Sequence, residues 1–309
     1  MGEKDNKTLE YFKDSRRFAD LINARFFKGK EVVKPENLQD ADKELIYPWT
    51  QNGEKVLRDN VMKWMGNTLL AIFVTEHQSK VDYHMVFRIM LGESLAYQRQ
   101  WNKKKKEHRK QGDLKTGSEL LSGMKKEEKF CPVLSLVVYY GKEPYDGATN
   151  LREMLEWTEE TNELAKYIPD YQINVFDYHN QKNFGEFHTE LQLLFEFLRY
   201  ASDKDALKKL LADRKKDYYN VDNETYQMIA MLTNSKELLE YSEEHENEEG
   251  KDMCQAIKEM IEDGRAEGIA EGIAQDKINV AKNLLDILSD EVIAEKVGLD
   301  IEVVRELRK

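Results

Sequence analysis

Through residues 8–28 apolar side chains recur at helical spacing, with Phe12, Phe18, Leu21, Ile22 and Phe26 on one stripe. That periodicity predicts an amphipathic helix, with a break near Asp14 and Ser15. Residues 54–65 alternate partially between apolar and polar, Gly66 and Asn67 supply a turn, and a continuous apolar run then ends in Thr75, Glu76, His77, Gln78 and Ser79. We read a β-hairpin whose second strand is buried on both faces. Helical periodicity resumes over 81–101 and leads into a lysine-rich stretch. Residues 132–140 (PVLSLVVYY) form the most strand-like run of the chain, 171–178 a later strand, and 184–200 a helix rich in Leu and Phe. Helices and strands in this order predict an α/β core.

Beyond Ser202 the pattern changes. Residues 207–232 read as helical, 243–249 are a nearly unbroken acidic run, and 251–288 carry no strand signal. We therefore divide the chain into a main domain (1–202), an acidic helical extension (203–262) and a tail (263–309). In the tail Gly264, Gly268 and Gly272 repeat every four residues, along one helical stripe, flanked by Ala266, Ala270, Ala274, Ile269 and Ile273. Each internal glycine costs about 1 kcal/mol relative to alanine in an exposed helix. Two readings fit: a homodimer contact through close helix approach, or a marginal helical linker. The last segment has Ser289 as an N-cap candidate and a turn at Gly298, Leu299 and Asp300. It carries six acids against four bases from Ser289 to Lys309, a charge that suits phosphate contact poorly, so a packing hairpin is the expected form rather than a helix-turn-helix reader.

Charge and composition narrow the function. No apolar run approaches the roughly 18–20 residues of a bilayer crossing, and the charged start MGEKDNKTLEYF lacks the features of a secretory signal. A cytoplasmic protein with no membrane partner is expected. Cys131 and Cys254 have neither zinc-site spacing nor the number a disulfide framework needs. The net charge of −12 argues against a nucleic-acid partner until its distribution is considered: between Arg99 and Lys129 eleven Lys and Arg face five Asp and Glu. Lys103, Lys104, Lys105, Lys106, Arg109 and Lys110 could hold the phosphates of DNA, or form a solvated charged loop.

The residues with candidate chemistry are Asp59, on the first strand of the predicted hairpin, and Glu76 with Gln78 at the end of the second. Alternation along a strand puts Glu76 and Gln78 on one face and His77 on the other. Two carboxylates meeting at a strand end would make a hard-oxygen site suited to Mg²⁺. A neighbouring polar residue such as Gln78 could then orient water, though it brings no positive charge. Solvated polar residues where a strand leaves the core would give the same pattern. His77, His84 and His108 lack paired metal-ligand spacing, and no glycine-rich phosphate loop is present.

Taken in series, RDNVMKW, FVTEHQS, HMVFRIMLGESLAY and PVLSLVVYYG resemble the Rpn family of recombination-promoting nucleases and transposase-like proteins, a branch of the PD-(D/E)XK superfamily. The resemblance spans about residues 8–200. It implies a mixed sheet flanked by helices and a metal-dependent DNA endonuclease acting on double-stranded DNA with Mg²⁺ or Mn²⁺. Asp59 and Glu76 would be metal ligands, joined by the backbone carbonyl of His77, and Gln78 would stand where the superfamily usually has Lys. A further acidic ligand from the first helix would be Asp20, with Asp14 behind it. Arg88 and Tyr97 match family positions in the next helix. A DNA-binding or protein-interaction module that keeps the fold without efficient cleavage is the alternative.

Overall fold

The computed structural model describes residues 3–41, 59–245 and 250–308. Two helices open the chain, α1 (Glu3–Lys13) and α2 (Ser15–Phe27). They are separate because Asp14 is the N-cap of α2: its carboxylate accepts from the backbone N–H groups of Arg16 and Arg17, satisfying donors that a helix start leaves open. The strands β1 (Leu38–Asp40), β2 (Asn60–Met65) and β3 (Leu69–Gln78) follow, then the long helix α3 (Met85–Gln111), the short α4 (Gly117–Ser122), and strands β4 (Val133–Tyr139) and β5 (Asn174–Asp177). Together they make a five-stranded mixed sheet in the order β1-β2-β3-β4-β5, with β1, β2 and β3 antiparallel and β3, β4 and β5 parallel. The expected hairpin is present, turning through Gly66 and Asn67, although the earlier part of the predicted 54–65 strand lies outside the described residues.

Alternation along β3 sorts its side chains between two layers. Ala71 and Phe73 join the main buried cluster with α1, α2 and the later helix α5 (Leu191–Tyr200), whereas Ile72 and Val74 pack with Ala96 and Tyr97 of α3. Met85, Val86 and Ile89 of α3 cover Val137 on the same side. The sheet is thus flanked by helices on both faces, and both faces of β3 are buried as its unbroken apolar sequence predicted.

The helix expected over 184–200 starts only at Leu191. Phe184 and Phe187 are buried from the preceding loop, stacking about Phe195, and their spacing mimicked a helical stripe. The helical reading of 207–232 resolves into α6 (Lys204–Asp213), α7 (Lys215–Tyr218) and α8 (Asn223–Thr233), interrupted by β6 (Val221–Asp222). After α9 (Lys236–Glu244), β7 (Gly250–Lys251) pairs with β6, so a two-residue ladder sits where no strand was expected. One buried cluster runs from Tyr11 through Phe195, Leu211, Tyr226 and Leu238 to Ile257, and it crosses the boundary drawn at residue 202. Arg17, itself buried, reinforces this by pairing with Glu224 and Asp222 at the start of α8.

The tail holds α10 (Met253–Leu284), α11 (Asp290–Val297) and α12 (Ile301–Leu307). Ala281, Ile293 and Val304 form a separate small core, with Gly298 at φ +68 turning between α11 and α12 as a helical hairpin requires. Ser289 takes the N-cap position of α11, but its side chain makes no cap bond. The glycine repeat falls within α10; Ala266, Ile269 and Ala270 are outside the residues whose side chains are described, while Ile273 is exposed and a Cβ on Gly272 would meet open space.

Candidate functional site

The site lies where β3 leaves the sheet. β2 and β3 pair with Asn60 opposite Thr75, so Asp59 lies one residue before the ladder and Glu76 one residue beyond its last pair. Asp59 thus precedes β2 rather than lying within it. The Asp59 carboxylate accepts a hydrogen bond from the backbone N–H of His77 at 2.7 Å, holding the start of β2 against the end of β3.

Glu76 is fully buried, and α3 supplies its counter-charge: Arg88 Nη2 lies 2.8 Å from a Glu76 oxygen, and its Nη1 is 3.6 Å from Asp82. A buried carboxylate needs such a partner, since an isolated ion is strongly disfavoured away from water. The identity of α3 as the neighbouring helix makes Arg88 part of the site. Tyr97 does a different job: its hydroxyl accepts from the backbone N–H of Val133 at the start of β4 and its ring packs near Phe130.

His77 projects from the opposite face of β3. Its ring stacks on Phe12 with centroids 4.6 Å apart, and Nε2 lies 3.1 Å from Thr75 Oγ1 and 3.3 Å from Asn60 Nδ2. With Asn60 donating, Nε2 accepts and the ring proton sits on Nδ1, which is buried with no partner among the described residues. Burial pushes the His77 pKa down to about 3, so the ring is neutral near pH 7.

Asp59, His77, Gln78, Lys80 and Tyr140 line a cavity of about 260 Å³ together with Leu9 and Ser79. The donors at this strand end are hard oxygens: two carboxylates and the Gln78 amide, with backbone carbonyls between them. Among the described residues no three His, Cys, Asp or Glu side chains are grouped to hold a metal. Asp20 does not join this constellation. It is buried in α2, and its oxygens accept from the backbone N–H groups of His188 and Thr189 and from the Thr189 hydroxyl, fixing the turn before α5. Asp14 is engaged as the α2 cap. A helical acid read from sequence as a ligand candidate is here a local organiser of backbone. Asp177, at the same end of the sheet, was not anticipated; its carboxylate accepts from the Tyr145 and His179 amides and from Asn180, organising the adjoining loops.

The lysine-rich segment is helical and continuous with α3, not a loop. Its side chains divide. Lys104 pairs with Glu128, Lys105 lies over Trp101, and buried His108 is held between Asp113 and Glu128. Hydrogen bonds donated to the Asp113 and Glu128 carboxylates raise the His108 pKa, and this inner side clamps 113–128 against the helix. Lys103, Lys106, Arg109 and Lys110 are on the outward side. Lys103 follows Arg88 by fifteen residues, roughly 22 Å along the helix axis at about 1.5 Å per residue.

No helix among the described residues is long and apolar enough to cross a membrane. No curated protein and no solved structure matches the chain. The sequence profile of one family, described as "Putative transposase, YhgA-like", matches residues 65–226, taking in Glu76, Gln78, Arg88 and the basic end of α3 while leaving Asp59 just outside. The match starts later and ends further along than the resemblance over 8–200 implied, reaching into α8 and past residue 202. Covering just over half of the sequence, it assigns this chain to the YhgA-like transposase family.

Proposed function

We propose that the protein is a metal-dependent DNA endonuclease built on a PD-(D/E)XK-type core, with a role in recombination or transposition. The observation that carries this reading is that the Asp59 carboxylate, one residue before β2, accepts from the amide of His77, the residue that follows Glu76 at the end of β3. The donor set suits a small hard cation: Asp59, Glu76 and the His77 carbonyl would hold Mg²⁺, or Mn²⁺ in its place. Such an ion, when bound, polarises the scissile phosphate and lowers the pKa of water. The chain's own contribution is positional. The His77 amide fixes the Asp59 carboxylate, Arg88 supplies the counter-charge to buried Glu76, and Gln78 orients the attacking water through its amide. The outward stripe Lys103, Lys106, Arg109 and Lys110 grips flanking duplex far from the reacting phosphate, with Lys104 and Lys105 held on the inner side of the same cluster. A cytoplasmic location, and a homodimer through the glycine-repeat helix α10, belong to the same reading.

A second reading, a DNA-binding or protein-interaction module that keeps the fold without efficient cleavage, is favoured by one observation: Glu76 is wholly buried and already paired with Arg88. Incubating supercoiled plasmid with the purified protein in Mg²⁺ and in EDTA separates the two. Nicking in Mg²⁺ and its loss in EDTA support the endonuclease; retention of plasmid without cleavage in either condition supports the binding module.

A further inference from the structure

The proposed site is short of positive charge where a phosphate would enter. Arg88 is committed to Glu76. Gln78 is neutral. In the wall of the cavity that contains Asp59, Lys80 is the one cationic side chain among the described residues. It follows Gln78 by two residues, just after β3 ends, and is exposed with no hydrogen-bond or ion-pair partner among the described residues.

Lys80 also belongs to a second cavity of about 550 Å³, whose wall includes Tyr83, Lys142, Glu143 and Asp146. The two cavities share Ser79, Lys80 and Tyr140, so Lys80 stands at their junction. The carboxylates of Glu143 and Asp146 oppose Lys142 in the larger cavity. Lys80 is the cation common to both cavities, and it lies at their junction, where a strand running from one cavity into the other would pass.

We propose that Lys80 contacts the phosphate at the carboxylate site, supplying from beyond the strand end the positive charge that Gln78 does not carry. This rests on the endonuclease reading above. A long, flexible lysine can serve this purpose from two residues further along the chain, because its ammonium acts as a point charge without a fixed fork geometry. Charge placed against a phosphate whose negative charge redistributes during hydrolysis favours the transition state directly.

The test uses the full-length protein with Lys80→Ala, Lys80→Arg and the double variant Gln78→Lys/Lys80→Ala. Single-turnover cleavage of duplex DNA should fall on the order of 10- to 100-fold in Lys80→Ala, remain largely intact in Lys80→Arg, and recover in the double variant. Binding is measured separately with a trinucleotide, too short to bridge to the stripe on α3. Lys80→Ala should weaken that binding and lower its log affinity against log salt slope by about 0.7. Wild-type cleavage and unchanged trinucleotide binding in Lys80→Ala would overturn the assignment of Lys80 while leaving the endonuclease reading standing. If the wild type does not cleave but Lys80→Ala still loses trinucleotide affinity and salt slope, the phosphate contact stands and the endonuclease reading falls.

Discussion

Arg88 reaches from α3 to the buried carboxylate of Glu76, 2.8 Å away, so the helix that covers one face of the sheet also neutralises the charge at the end of β3. This contact makes the packing of α3 and the state of the candidate site a single arrangement. Glu76 has no exposed surface, so removing the guanidinium takes charge compensation from a carboxylate that bulk water does not reach.

Arg88→Ala should therefore destabilise the fold. Removing one member of a buried pair costs about 3–5 kcal/mol, and the partial exposure of Arg88 sets the expectation at the low end. Adding Glu76→Gln to Arg88→Ala should recover much of the loss, since the remaining buried group is then uncharged. Urea denaturation of the single and double variants checks this; equal stability of Arg88→Ala and wild type would mean that Glu76 is satisfied without Arg88.

His77 gives a pH dependence with a definite sign. Its folded pKa, about 3, lies below the unfolded value near 6.5, so the unfolded chain binds the proton more tightly. The stabilising contribution of the neutral ring is complete above pH 6.5 and is lost as pH falls toward 3, with a slope of up to about 1.4 kcal/mol per pH unit. Denaturation between about pH 7 and about pH 4.5 should show this slope, and His77→Gln should flatten it. A variant with an unchanged slope would assign the acid sensitivity to other groups.

Gln78 is expected to affect rate more than affinity. If it orients water, Gln78→Ala should lower turnover with little change in DNA binding, whereas Gln78→Lys should keep or raise turnover by adding charge at the same position. Single-turnover rates and binding isotherms measured on the same preparations separate the two effects. An unchanged rate in Gln78→Ala would remove Gln78 from the site.

The basic end of α3 should split by face. Replacing Lys103, Lys106, Arg109 and Lys110 with Gln should weaken binding similarly across duplex sequences and flatten the slope of log affinity against log salt by about 0.9 for each phosphate no longer neutralised. Turnover at saturating DNA should change little at that distance along the helix. Lys104→Gln should instead loosen the pairing with Glu128, seen as faster amide exchange over 113–128, and barely alter the salt slope. An unaltered slope in the fourfold variant would move the DNA path elsewhere.

Much of the fold was legible because its strongest signals were unbroken or strictly periodic: the apolar run of β3, the 132–140 strand and the part of α3 up to Trp101, beyond which the lysines hid its continuation to Gln111. Those patterns reflect burial on two faces or on one stripe, which tertiary structure did not override. The 184–190 segment misled for the same reason, since Phe184 and Phe187 are buried without being helical. Strands β1, β6 and β7 were invisible because two or three residues cannot establish a period. In the site, alternation correctly separated His77 from Glu76, but sequence could not show that Arg88 meets Glu76 or that Asp20 is consumed by the His188 and Thr189 amides. Both depend on contacts across the fold. Lys80 did leave a local signal, two residues beyond Gln78, that became meaningful only with the cavity around it.

In the proposed mechanism Asp59 and Glu76, brought to the end of β3, carry metal-dependent DNA cleavage. The most direct test is nicking of supercoiled plasmid in Mg²⁺ by wild type, Asp59→Ala and Glu76→Ala, with folding of each variant verified by circular dichroism. Wild type should convert the plasmid to open-circular product, and neither folded variant should do so above background. Cleavage at the wild-type rate by both purified variants would contradict it.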